Sequence, residues 1–559
     1  MSAMEVGKHD RPGLSGWNGG ASYFANLMTY RSNLGLLLLA AVASMPAGAQ
    51  SKTDKADVDW GPPLNAKEDG SFSRVSGVND EALFLDMYYK KESQLQRMDL
   101  DLKKAYMKPV SYELDKKDLS SEGIWYVKDK VLVFSSLLDK KQDENNLFVQ
   151  VYDQTSGAAL GQHRKVASIP VESKRNTGGY SVKVSPDESK VMVVIEQPYE
   201  KGGAERFKAK MFDSEMTELW TQEVSMPYTD DEFLLGSSRL DNDGSVLVLG
   251  TFFPEKKEQR DRNKARQEVF DQYLLVFPPN GTDVEQHKLS LPDKYLQDIT
   301  ITLPENGDIL CGGFYGTKDS RGAIRGTFFM KLDRRTKKII DSSMKEFSED
   351  FITSFWTEKE EEKAKKKAEK KDQELGLYSM DLSEIVHRHD GGALFIGEQY
   401  YMYVTTSTFR DANGRTSTTY TYHYVYNDII VVNIDPTGEI EWLSKIPKRQ
   451  HSANDNGQYS SYALQVKGEN IYFIFNDSGE NLFLKDGDKV QQFEIKGKDA
   501  LVVLATVDAM GGVSREALFT PERRDVILKP KDCVQITDER MFIFAERKNE
   551  YRFGKVTFD

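Results

Sequence analysis

Ile429-Ile430-Val431-Val432-Asn433-Ile434-Asp435 leads into Pro436-Thr437-Gly438 and then Glu439-Ile440-Glu441-Trp442. A β-branched apolar run, a tight turn and a second run alternating apolar with charged residues describe two antiparallel strands joined by a short reversal. Just upstream, Gly391-Gly392 opens a further run, Ala393-Leu394-Phe395-Ile396. The same short apolar run behind a polar turn recurs at residues 82–85, 131–134, 191–195, 246–249, 309–311, 471–475 and 541–544. Second strands ending in polar turns follow most of them, as at 147–153, 207–213, 273–277 and 327–333. A unit this small cannot bury its own apolar face, so neighbours must stack. The pattern predicts an all-β fold: a single β-propeller of seven or eight four-stranded blades with charged helical insertions. Continuous apolar runs suit strands buried on both faces, so they are expected to be innermost, followed by middle and edge strands.

Two of the turns resemble known repeat families. Ser185-Pro186-Asp187-Glu188-Ser189-Lys190 resembles the Ser-Pro-Asp-Gly-Lys turn of WD-type propellers. Asp435-x-x-Gly438-x-x-x-Trp442 is similar to the tryptophan-docking motif of quinoprotein-type propellers, and is echoed at 213–220 with Met216 in place of the glycine. The resemblance implies the fold, with the glycine closing a turn and the tryptophan packing between blades. It implies no activity, because propellers host unrelated functions. Tryptophan follows only two of these turns and no cluster of cofactor ligands accompanies them, so quinone chemistry is not carried over and no cofactor is expected.

A length of 559 residues would ordinarily suggest several domains, but the repeat takes up the whole chain. With 39% apolar and 11% aromatic residues the chain has the material for a core. A net charge of −13 argues against a nucleic-acid partner, which requires a basic face. Residues 1–49 read as a secretory signal: Arg31, the apolar run 34–43, then Pro46-Ala47-Gly48-Ala49. Cleavage is expected after Ala49, and Met28 is the expected true start. The run falls short of the about 20 residues that span a bilayer, so no membrane span is expected. Residues 50–70 are expected to form a linker or a closing strand, since an open ring would expose a sheet edge, and 71–559 the propeller. The expected location is periplasmic or secreted. Cys311 and Cys533 are read as two buried thiols rather than a disulfide.

Three segments depart from the repeat. Residues 254–270 form a charged insertion. In the insertion 345–378, Phe347, Phe351 and Phe355 recur four apart beside Ile352 and Trp356, one apolar helical face. Its second part carries Glu361/Lys365 and Glu362/Lys366 at ion-pair spacing, which predicts a helix docked at its start and projecting into solvent. The third is a long hairpin, 400–427. With Asn413-Gly414 as a two-residue turn, Tyr420, Tyr422, Tyr424 and Tyr426 lie opposite Ser407, Thr405, Tyr403 and Tyr401, all on one face. The other face then pairs Thr406 with Thr421 and Val404 with His423. This tyrosine face is the leading candidate binding surface; the alternative is that it packs on the helix beginning at Phe347. A second candidate is the polar loop 448–459, through Arg449, His451, Asn454 and Asp455.

Motifs for catalysis are absent. His387-Arg388-His389-Asp390 offers two imidazoles without a third ligand, and Asp241-Asn242-Asp243-Gly244 lacks the rest of a calcium loop, so no metal is expected. Neither a G-x-S-x-G elbow, an H-E-x-x-H pair nor a phosphate-binding loop occurs. The leading expectation is an exported, non-enzymatic binding or scaffolding propeller of the cell envelope with a protein partner. Alternatives are a carbohydrate-binding module whose tyrosines stack on sugar rings, and an enzyme acting on envelope or extracellular polymer.

Overall fold

Turn chemistry divides the chain into antiparallel strand meanders, and apolar side chains glue the meanders to one another. The computed structural model describes residues 53–559 apart from 172, 174–175, 199–203, 230–231, 254–269, 280–283, 305–306, 318–322, 357, 372–373, 389, 411–413, 486–487, 496 and 521–525. The expected signal segment 1–49 and nearly all of the charged insertion 254–270 therefore lie outside the described residues. The strands form eight sheets of at least four strands, covering 71–109, 120–170, 179–229, 233–289, 295–346, 380–446, 463–519 and 527–558. Ala56–Trp60 completes the eighth sheet by pairing with Glu550–Phe558, so the two ends of the described chain meet in one blade.

Successive sheets are joined by separate apolar clusters. One joins Leu95 of the first sheet to Ile124 and Val131 of the second; others follow between each later pair. The last joins Leu83 and Leu85 of the first sheet to Phe542 and Phe544 of the eighth, which closes the ring. This is a β-propeller.

The strand order corrects one expectation. The apolar runs are the second strands of their sheets, not the first: Lys130–Asp139, for example, lies between Ser120–Val127 and Glu144–Asp153. Most successive sheets touch through their first strands, which places those strands nearest the axis. The reason is solvent. An axial strand keeps one side wet, as in Gly179–Val184, where only Val182 is fully buried. The second strand is covered by a neighbouring blade on each face and becomes continuously apolar, as in Ile309–Gly316.

The motif turns play the structural parts expected of them. Asp435 Oδ1 accepts the backbone N–H groups of Thr437 and Glu439 at 2.8 and 2.9 Å. Trp442 docks on the next blade, its indole N–H donating to Ala509 O at 3.0 Å. At Gly511, φ is +81° and a Cβ would come within 2.9 Å of that indole. Asp241 is a pin between blades rather than a calcium ligand: it pairs with Arg334 at 2.5 Å and Lys337 at 3.2 Å. Burial alone would raise its pKa, but these two cations hold it below the ordinary carboxylate value. Cys311 is buried and Cys533 partly exposed; both are free, and burial pushes the Cys311 thiol up to about 12.

In the helical insertion, Ser348 caps α1 (Glu349–Thr353), its hydroxyl accepting from Phe351 N at 3.1 Å. Phe347, Ile352 and Phe355 enter the cluster between the fifth and sixth sheets. The largely exposed α2 (Glu358–Lys371) follows, with Lys365–Glu361 at 2.9 Å and Lys366–Glu362 at 2.6 Å along its surface.

Candidate functional site

In the sixth sheet, β1 (Ala393–Arg410) and β2 (Thr416–Ile434) run far beyond their neighbours as a hairpin. At its base Ala393 faces Ile434 and Glu398 faces Ile429. Asn427 and Asp428 then bulge opposite the single residue Gln399. Beyond the bulge the pairs are Tyr400–Tyr426, Tyr401–Val425, Tyr403–His423, Thr405–Thr421, and on to Arg410–Thr416. Strand side chains alternate, so this one-residue shift changes which residues share a face.

The expected row of six tyrosines on one face is thereby divided. Tyr420, Tyr422, Tyr424 and Tyr426 share a face with Tyr400, Met402, Val404 and Thr406. Tyr401 and Tyr403 lie on the other, with Thr421, His423 and Val425. The expected pairs Thr406–Thr421 and Val404–His423 are replaced by Thr405–Thr421 and Tyr403–His423. The last described pair is Arg410–Thr416, and the expected two-residue turn at Asn413-Gly414 involves Asn413, which lies outside the described residues.

The polar loop and the hairpin, expected as separate sites, form one structure. β3 (Gln450–Ala453) pairs with the base of β2, setting His451 beside Val425 and Ser452 beside Tyr424. Asn454 extends the ladder: its N–H donates to Tyr422 O, and its Oδ1 accepts from Tyr422 N, both at 2.9 Å. Asp455 Oδ1 accepts from Ser452 Oγ at 2.6 Å and Gly457 N at 2.9 Å. Arg449 O accepts from Phe493 N at 2.9 Å. Asn454 thus holds the loop on the hairpin and Asp455 folds the loop on itself, using groups that were expected to meet a ligand.

On one face, Tyr403 stacks on His423 with ring centroids 4.5 Å apart and planes 7° from parallel. His423 Nδ1 lies 3.0 Å from His451 Nε2, an N–H of one ring facing the lone pair of the other, while His423 Nε2 lies 2.9 Å from Thr405 Oγ1. Burial, then the neighbouring His423, lowers the His451 pKa. On the other face, Tyr424 donates its hydroxyl to Asn456 Oδ1 at 2.9 Å. Tyr426 departs from expectation: it is only 8% exposed, packed on Tyr400 at 4.6 Å and accepting from Lys531 Nζ at 2.7 Å. Burial pushes the Lys531 amine down to about 8 and the Tyr426 hydroxyl strongly up. Beneath them, the buried Lys448 ammonium bridges Glu398 Oε1 at 2.5 Å and Gln450 Oε1 at 3.0 Å.

Above this base, Tyr401, Tyr403, Tyr420 and Tyr422 remain exposed, together with Met402, Val404 and Phe409. No hairpin tyrosine belongs to the cluster around Phe347, so the alternative of packing on that helix is not realised. His423 and Lys531 were missed in the sequence because each becomes significant only through partners distant along the chain. The polar pair Asn427-Asp428, interrupting an apolar run, was the available sign of the bulge. His387 Nε2 lies 3.0 Å from Thr302 Oγ1, and His389 falls outside the described residues. Among the described residues no three His, Cys, Asp or Glu side chains are grouped to hold a metal, and no helix is long and apolar enough to cross a membrane.

No protein-family model matches the chain, and no curated protein is significantly similar to it. Among solved structures, the WD40 domain of SCAP from fission yeast is similar over 92% of this chain and 98% of its own, at 8% identity and TM-score 0.42. The Dos1 propeller is similar over 89% and 95%, at 10% identity and TM-score 0.39. A prolyl endopeptidase is similar over 75% of this chain and 45% of its own, at 11% identity and TM-score 0.31. Likeness at this level concerns fold and carries no function.

Proposed function

We propose that this protein is an exported, non-enzymatic binding propeller of the cell envelope that takes a protein partner on its tyrosine hairpin. The observation carrying this reading is a pair of strands extending beyond the blade with tyrosines exposed on both faces, while the ionisable groups beneath are engaged with one another. Tyrosine supplies large contact area at low rotamer cost and keeps a hydroxyl that tolerates water, so it can stay exposed until a partner arrives. The signal-like segment at 31–49 supports export.

The test replaces Tyr420 and Tyr422 by Ser. Both are exposed, and their side chains stand clear of the Tyr424–Asn456 and Tyr426–Lys531 contacts. Co-purification from the native envelope is expected to recover a defined protein with the wild type and lose it with Tyr420→Ser/Tyr422→Ser, at unchanged melting temperature. Equal recovery by both, or recovery of glycan alone, would contradict the reading.

A further inference from the structure

Beyond Tyr400, no strand among the described residues pairs with β1 on the side away from β2, because Met380–His387 reaches only as far as Gln399. Tyr400 fixes the direction of the main chain there: its N–H points outward and donates to Ser379 O at 2.8 Å. Peptide groups alternate along a strand, so Met402, Val404, Thr406 and Thr408 turn their N–H and C=O groups to the same open side. Tyr422 agrees with this phase, since its own N–H and C=O face Asn454 rather than β1. Such an edge is a template for strand addition, normally guarded by Lys, Pro, a bulge or a covering element. Residues 401–409, Tyr-Met-Tyr-Val-Thr-Thr-Ser-Thr-Phe, contain no charge, proline or glycine, and all are exposed.

We infer that this edge pairs with the same edge of a second copy of the chain, forming a two-fold symmetric antiparallel dimer. An axis normal to the sheet is the one that relates neighbouring antiparallel strands, and it keeps each face on its own side. Odd residues then meet odd and even meet even, which is also the phase that lets the outward groups bond to one another. The register that joins the whole uncharged segment to itself is centred on Thr405. It sets Val404 against Thr406 of the second copy, Met402 against Thr408, and Tyr401 against Phe409. The last pair covers Phe409, a residue 66% exposed in the single chain, with the aromatic partner that stabilises a cross-strand site. Self-pairing is favoured over addition of a charged strand because every opposing pair is neutral. The hairpin also stands roughly 30 Å long, which keeps two acidic bodies apart. The edge is distinct from the tyrosine faces, and pairing leaves those faces open and doubles them.

Sedimentation of the mature chain tests this. Wild type is expected to run as a dimer at micromolar concentration. Val404→Lys/Thr406→Lys and Val404→Glu/Thr406→Glu are each expected to be monomeric with unchanged melting temperature. Mixing the two charge variants is expected to restore a dimer, because Lys then faces Glu across both contacts. Independently, oxidised Thr405→Cys is expected to form an intermolecular disulfide and Thr406→Cys none. A monomeric wild type, dimers of either charge variant alone, or a mixture that stays monomeric would overturn the inference. A monomeric wild type that still captures its partner through Tyr420 and Tyr422 would sink the dimer and leave the binding function standing.

Discussion

Lys448 has no exposed side-chain surface, and its ammonium is neutralised by a Glu398 carboxylate that is itself buried. Ser461 Oγ donates to the second oxygen of Glu398 at 2.7 Å, and Ser461 N donates to Gln450 Oε1 at 2.8 Å. Gln450 Nε2 in turn donates to Asn476 O at 2.8 Å, tying the hairpin base to the seventh sheet. Removing one member leaves a buried charge without its counterion. Lys448→Ala is therefore expected to cost about 3–5 kcal/mol in urea unfolding, whereas the neutral pair Lys448→Met/Glu398→Gln costs less. A loss of about 1 kcal/mol or less for the single change, the size of an exposed pair, would contradict this assignment. Packing at the same base is equally tight: a Cβ at Gly457, where φ is +62°, would come within 2.5 Å of the Tyr426 ring.

At the scale of elements, the two helices of the insertion divide the work. α1 contributes Ile352 to the core, followed by Phe355, while α2 lies on the surface and is tied back to α1 by Lys365–Glu349 at 3.2 Å. Replacing residues 358–371 by a short Gly-Ser linker is expected to leave the melting temperature nearly unchanged. Phe355→Ala is expected to cost about 3–5 kcal/mol, as for other buried aromatics; a large loss from the first change or none from the second, both read by thermal unfolding, would reverse the assignment. How much of these elements could be read from sequence follows from the range of the forces involved. The second strands were legible because two buried faces demand an unbroken apolar run. Their place in the blade was not, because hydropathy reports burial and not distance from the axis. The exposed hairpin was legible from its tyrosines and threonines, but the division of its faces turns on the bulge at Asn427-Asp428. β3 was invisible: Gln450-His451-Ser452-Ala453 has no strand-like alternation and is held by main-chain pairing with β2 and by the contact of His451 with His423.

At the scale of the molecule, ring and hairpin answer to different demands. The ring closes on itself, with Ala56–Trp60 pairing with Glu550–Phe558 as the outer strand of the last blade, and fills every gap with its own apolar cluster. The hairpin is the reverse: long, paired on one side, and apolar where it meets water. A feature built for stability would bury those side chains, so the hairpin is expected to be dispensable for folding and required for binding. The direct measurement replaces residues 404–422 by Asn-Gly, which keeps Tyr403 opposite His423, a pair whose main-chain groups face each other, and leaves β3 paired with His423–Tyr426, and compares the partner protein retained from the envelope with that retained by the intact chain. The account predicts loss of the partner from a chain that melts at the same temperature; full retention, or a chain that no longer folds, would contradict it.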